Sequence, residues 1–186
     1  MPAPILILTG PPGSGKTTVA SLIADQLEPS AVIEGDNFFN YLRRGKIPPW
    51  QPESHQQNID VTAIVARTAA GYADAGWITV LEGILGPWFL HVIQSSLPAT
   101  ADVHYAMLQA SLDRCLDRVN QREQAASSSP NRSIGDIEGV VEKMHHELTR
   151  AELHQRHRID ASGEPPAVAD AVLARLRSGL LRLRTS

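Results

Sequence analysis

The chain is poor in the residues that announce many protein classes. It has one cysteine among 186 residues, three methionines, and three each of tryptophan, tyrosine and phenylalanine. A lone Cys115 excludes an internal disulfide framework and fits a reducing, cytoplasmic compartment. It stands in a helical pattern, where a small buried apolar role is expected rather than a nucleophile. No apolar run approaches the roughly 18 residues of a membrane span. The N-terminus enters an apolar strand pattern without a basic stretch before it, so no signal peptide is expected. A net charge of −3 gives no electrostatic reason to expect nucleic acid. The N-K-x-D element of guanine-specific switches is missing, and the D-x-x-G at Asp136–Gly139 falls at an expected helix start rather than after a strand. The seven histidines show no ligand spacing: His154 and His157 straddle a helix end, and His145 and His146 face different ways. Neither a nucleic acid nor a membrane is therefore an expected partner. No sustained heptad seam is present, and oligomeric state is not legible.

What is present is ordinary in bulk and specific in detail. Hydrophobic residues make up 42% and charged residues 20%, the balance of a single globular domain over 1–186. Five short apolar runs, Ile5–Leu8, Ala31–Ile33, Ile78–Leu81, Val103–Met107 and His157–Ile159, suit buried parallel strands. Helical patterns alternate with them at Thr17–Leu27, Val61–Ala75, Pro87–Ser95, Ser111–Glu123, Ile134–Gln155 and Ala167–Leu183. Such alternation predicts an α/β fold with a parallel sheet and right-handed crossovers. Two stretches resist assignment to core elements. Gly45–Pro52 carries three prolines in five residues, and Gln124–Asn131 is small and polar. Both are expected as loops over the mouth of one site.

The run Gly10-Pro11-Pro12-Gly13-Ser14-Gly15-Lys16-Thr17-Thr18 follows the first strand and opens the first helix. It matches the phosphate-binding pattern G-x-x-x-x-G-K-[ST] in the strand–loop–helix context that the pattern requires. Gly13, Ser14, Gly15, Lys16, Thr17 and Thr18 are expected to hold ATP. Backbone amides and the helix N-terminus would meet the phosphates, and Lys16 would reach the outer two. The Thr17 hydroxyl is the expected ligand of Mg²⁺.

Phosphoryl transfer to an alcohol needs a carboxylate near the phosphates to orient the hydroxyl and accept its proton. The second strand ends in Glu34-Gly35-Asp36, at the edge where open parallel sheets bind ligands. Asp36 is the expected base, a role compatible with capping a short helix over Asn37–Arg44. Glu34 is the expected water-mediated Mg²⁺ partner. One of Arg43 and Arg44, with Arg43 preferred, would grip the acceptor. Glu82 after the third strand would either serve the metal or contact the acceptor, and Gly83 would let backbone approach it. Arg118 and Arg122 stand one helical turn apart, and Arg122 is the expected cation over the transferring group. Trp50, Trp88 and Phe89 belong either to the core or to an apolar wall of the acceptor pocket.

Taken together, Gly10–Thr18, the Glu34-Gly35-Asp36 step and the arginines at 118 and 122 resemble the phosphate-loop small-molecule kinases, such as the gluconate and shikimate kinases and the chloramphenicol phosphotransferases. The resemblance implies a three-layer sandwich around a five-stranded parallel sheet in the order 2-3-1-4-5. It implies an acceptor region near 36–60 and an arginine-bearing lid near 118–135. It also places Arg118 and the segment around Gly163 beside adenine, and makes the Asp36 carboxylate the base toward a small-molecule hydroxyl. An ATPase or regulatory ATP-binding protein without small-molecule transfer is the alternative.

Overall fold

In a computed structural model, residues 2–126 and 137–183 are described. The strands are β1 (Ile5–Thr9), β2 (Ser30–Glu34), β3 (Ile78–Gly83), β4 (Val103–Gln109) and β5 (Arg158–Asp160). They form one sheet in the order β2-β3-β1-β4-β5, and every pair of neighbours is parallel. The helices are α1 (Lys16–Ala24), α2 (His55–Asp74), α3 (Leu90–Ser96), α4 (Leu112–Ala126), α5 (Ile137–Arg150) and α6 (Pro165–Arg177). The α/β class and strand order are as expected.

β1 explains why the sheet lies in the middle. Ile5, Leu6, Ile7 and Leu8 are all buried, so the run is apolar on both faces. Alternation then sends Leu6 and Leu8 into one core, with Ile23 of α1 and Val172 of α6. Ile5 and Ile7 enter the other, with Val65 of α2 and Ile93 of α3. Each such side chain contributes about 1.5–3 kcal/mol of apolar burial. The sheet thus becomes the middle layer of three, and the loops after β1, β2 and β3 emerge together at its carboxyl edge.

Three helical expectations shift. The stretch after β2 is not an α-helix over Asn37–Arg44 but a 3₁₀ helix over Gly35–Tyr41, with Leu42 already extended. α2 begins at His55, six residues before the expected start, because Pro52 opens a short 3₁₀ turn that leads directly into it. α6 ends at Arg177 rather than Leu183, since the Gly179 and Leu180 amides turn back onto the Leu176 and Arg175 carbonyls. The chain then reverses onto β4, where Tyr105 N donates to Leu181 O at 2.9 Å and Leu183 N donates to Val103 O at 2.8 Å. Arg182 Nε, 2.8 Å from Asp102 Oδ1, fastens that tail. The expected lid at 118–135 and the start of the expected helix at Ile134 fall partly outside the described residues.

No described helix is long and apolar enough to cross a membrane.

Candidate active site

The cradle after β1 is built by backbone. Gly13 has φ +79, and a Cβ there would collide with the Cys115 carbonyl of α4, so only glycine fits. Lys16 opens α1 and is 8% exposed. Its Nζ donates to Gly10 O at 3.1 Å and Pro11 O at 3.3 Å, folding the ammonium back over the loop. Ser14 Oγ is buried and has no hydrogen-bond partner among the described residues. An ammonium, an orphaned hydroxyl and a helix N-terminus converge here, which is a donor set for phosphate oxygens. Cys115 itself is buried, and burial pushes its thiol up, away from a reactive thiolate.

The carboxylates sit one strand over. Register aligns Glu34 of β2 with Glu82 of β3, and Glu82 with Leu8 of β1. Thr17 Oγ1 donates to Glu82 Oε1 at 3.0 Å. Glu82 is 4% exposed, and burial raises its carboxyl above the usual range against the opposing pull of Lys16 and of the Thr17 hydroxyl. Glu34 is exposed, and its Oε2 accepts instead from Asn37 Nδ2 at 2.8 Å. The carboxylate that touches Thr17 is therefore Glu82, which agrees with the first of the two roles expected of it, whereas Glu34, the expected water-mediated Mg²⁺ partner, bonds Asn37. A hard cation bound mainly by phosphates needs only one or two such protein oxygens, so Thr17 and Glu82 suit Mg²⁺.

Asp36 is exposed at the start of the 3₁₀ turn after β2. Its Oδ1 accepts from Ile84 N at 3.0 Å, across the turn that follows β3. No hydrogen bond engages Oδ2 among the described residues. The same turn is fixed from behind, since Leu85 N donates to Thr9 Oγ1 at 2.9 Å and Tyr105 Oη donates to Leu85 O at 2.8 Å. Asp36 thus has one oxygen clamped and lies against Gly83, whose missing side chain leaves room for the carboxylate. Its expected helix-capping role is replaced by this cross-strand bond.

A cavity of about 510 Å³ opens beside Asp36 and reaches Pro12 of the phosphate loop. Its walls come from five segments: the 3₁₀ turn, the proline loop, the first turns of α2, the turn after β3, and α5. The expected acceptor region near 36–60 covers the first three. Missed were the α5 residues Ile137, Val140, Lys143, Met144 and Glu147, which nothing local in the sequence ties to residue 36. Lys143 Nζ donates to Trp50 O at 3.3 Å and joins α5 to the proline loop. Trp50 and Trp88 line the cavity and remain 46% and 38% exposed, so they are wall rather than core. Phe89 lines it while also packing on the core. Arg43 is exposed on the extended stretch after the 3₁₀ turn and does not line the cavity, nor does Arg44.

On the other side of the phosphate loop, Gly15, Thr18, Arg118, Arg122 and Pro165 surround a second hollow of about 340 Å³. Arg118 Nη1 donates to Gly13 O at 3.2 Å. Arg122 therefore lies on this side and not among the cavity residues around Asp36. Arg114, on the same helix, has a different part. Its guanidinium donates to the carbonyls of Ala161 and Ser162, and to Gly163 O at 3.3 Å. It pins the loop after β5 beside the cradle. A Cβ on Gly163 would meet nothing within 4 Å, so glycine is not demanded there by packing.

Comparisons with known proteins agree with this architecture. A sugar kinase from Janibacter sp. HTCC2649 superposes with a TM-score of 0.66 at 20% identity, covering 95% of each chain. The tunicamycin resistance protein of Deinococcus radiodurans superposes with a TM-score of 0.63 at 25% identity, over 98% of this chain and all of that one. In sequence, a cytidylate kinase of Archaeoglobus fulgidus is 29% identical over 86 residues, 46% of this chain. That match spans about half of the relative's own length, 48%. A family model described as an AAA domain matches residues 6–138, from β1 through α4 to the start of α5. With its phosphate loop on β1 and a 2-3-1-4-5 sheet, the chain belongs to this AAA-domain family and has the phosphate-loop kinase fold.

Proposed function

We propose that the chain is an ATP-dependent phosphotransferase acting on a hydroxyl of a small molecule. One observation carries the reading. Asp36, with one carboxylate oxygen clamped by Ile84 N, stands where the phosphate loop meets a cavity large enough for a small-molecule acceptor. The cradle from Gly13 to Thr18 would hold ATP, with Arg118 and Arg122 on the flank opposite the acceptor. Thr17 and Glu82 would hold Mg²⁺. Bound there, the nucleotide and its metal supply an activated terminal phosphoryl group. Asp36 Oδ2 accepts the hydroxyl proton, while the Ile84 amide keeps the carboxylate from turning away. Lys16 neutralises developing negative charge at the phosphate side. The cavity walls exclude water, so that an alcohol rather than solvent is the nucleophile.

A second reading, a nucleoside monophosphate acceptor, is favoured by the stretch of similarity to cytidylate kinase. That chemistry calls for cations that grip the acceptor's phosphate. Among the described residues the acceptor cavity is lined by no arginine, which favours the alcohol. An ATPase without an acceptor would have no use for so large a cavity beside Asp36.

Acceptor-dependent ADP release, with mass spectrometry of the acceptor, separates these readings. The alcohol reading expects one phosphoryl group gained on a hydroxyl. It also expects Asp36→Asn to cut turnover by about 10²–10⁴-fold with ATP affinity kept. Cytidine monophosphate turned over in preference to every alcohol would establish the second reading. Acceptor-independent ADP release would establish the ATPase.

A further inference from the structure

We infer that the acceptor is an uncharged amphiphile: a neutral hydroxyl-bearing head joined to a substantial apolar group, rather than a sugar acid or another anion. The inference rests on the kinase reading and refines it.

Charge is the first ground. The cavity is lined by two lysines and two carboxylates, Lys46, Lys143, Asp36 and Glu147, whose formal charges cancel, and by His55, counted as neutral. Both ammonium groups already have partners. Lys46 Nζ donates to Asn40 Oδ1 at 3.2 Å, and Lys143 lies 4.0 Å from Glu147 besides bonding the Trp50 carbonyl. Selective capture of a carboxylate, sulfate or phosphate relies on forked guanidinium groups, and the cavity has none among the described residues.

The second ground is the wall itself. Phe39, Trp50, Trp88 and Phe89 line the space, as do Val140 and Met144 of α5. Both indoles stand more than a third exposed in a chain with only three tryptophans. Large aromatic surfaces left open in a concave site gain by being covered. Trp88 is also held in place by its neighbour. A Cβ on Gly86 would strike its ring, so the indole lies directly over Gly86 backbone. The volume, about 510 Å³, exceeds what a hydroxyl and its immediate ring need beside Asp36. Much of the polar lining is already engaged: Ser54 and Asn58, at the start of α2, donate to Pro49 O of the proline loop, and Lys143 of α5 donates to Trp50 O. A head group at Asp36 and an apolar tail running toward Trp50, Trp88 and Met144 fit that lining.

The test uses three probes with the full-length chain: methyl β-D-glucoside, hexyl β-D-glucoside and D-gluconate. Binding is read by tryptophan fluorescence in the presence of Mg²⁺ and a non-hydrolysable ATP analogue. The hexyl probe should bind at least about tenfold more tightly than the methyl probe, because each buried methylene adds to affinity. D-Gluconate should bind no better than the methyl glucoside. Trp88→Ala should abolish the hexyl advantage and leave the analogue's affinity unchanged, and Trp50→Ala should do the same. Equal binding of hexyl and methyl glucosides, or tighter binding of gluconate, overturns the inference while leaving the kinase reading intact. A hexyl advantage that survives both tryptophan substitutions also overturns it, since the chain then binds elsewhere. If the hexyl advantage appears and depends on Trp88, but no alcohol is ever phosphorylated, the cavity chemistry stands and the transfer reading fails.

Discussion

The two halves of the cleft are made by different means. The nucleotide half is a backbone object. Its shape comes from nine consecutive residues, a glycine at φ +79 pressed against the Cys115 carbonyl, and a lysine folded over its own loop. The acceptor half is a side-chain object, assembled from five segments spread from residue 35 to residue 147, and it meets the phosphate loop at Pro12. A backbone cradle tolerates almost no substitution and recognises one kind of group. A wall of side chains can be altered residue by residue at little cost to the fold. On the proposed function, chemistry is fixed in the first half and selectivity is set in the second.

Substitutions can break or sharpen that contrast. The largest effect should come from Lys16→Ala, which removes the ammonium from the cradle. Turnover should fall by about 10²–10³-fold or more, with far-ultraviolet circular dichroism unchanged. Gly13→Ala should follow. A left-handed φ and a collision with the Cys115 carbonyl should cost roughly 1–3 kcal/mol of stability, together with ATP affinity, in calorimetric melting and titration. Trp88→Ala, in the other half, should leave stability within about 0.5 kcal/mol and alter acceptor affinity alone. Comparable losses of stability at Gly13 and Trp88 would erase the distinction between the halves.

The smallest expected effect concerns Glu82. Its folded-state carboxyl titrates above the ordinary value near 4.5, chiefly because burial disfavours the charge. The folded chain therefore holds this proton more tightly than the unfolded one, and the group's contribution to stability is lost as pH rises through the folded value. Glu82→Gln should raise the melting temperature at pH 7.5, and the gain should shrink toward pH 4.5. Turnover should fall in the same variant, because the carboxylate beside Thr17 is gone. A Glu82→Gln chain less stable than wild type at pH 7.5 would show that the buried charge is fully compensated.

How legible the molecule was in its sequence follows the same division. The cradle and the sheet order were readable, because a strand, a glycine-rich turn and a helix start are adjacent in the chain and obey local rules. The place of Asp36 was readable from the end of β2. The contact between Thr17 and Glu82 was not, because the choice between Glu34 and Glu82 depends on which strand neighbours β1. β3 does, and β2 stands one further out. Nothing local marks Arg114, and only the packing of the loop after β5 against α4 shows that it holds three carbonyls. Arg43 was placed on a helix that the chain does not form, since Gly35–Tyr41 winds as 3₁₀ and then straightens. The contribution of α5 was invisible for the plainest reason: it lines the same cavity as Asp36 from a segment that begins only at Ile137.

Acceptor-dependent ADP release by wild type and Asp36→Asn, at saturating ATP and Mg²⁺ with hexyl β-D-glucoside as acceptor, tests the central claim most directly. Release should rise with the acceptor in wild type, be matched by phosphorylated glucoside, and fall by at least about 10²-fold in Asp36→Asn at unchanged ATP affinity, as transfer to an alcohol requires. Release that ignores the acceptor and proceeds equally in both proteins would contradict it.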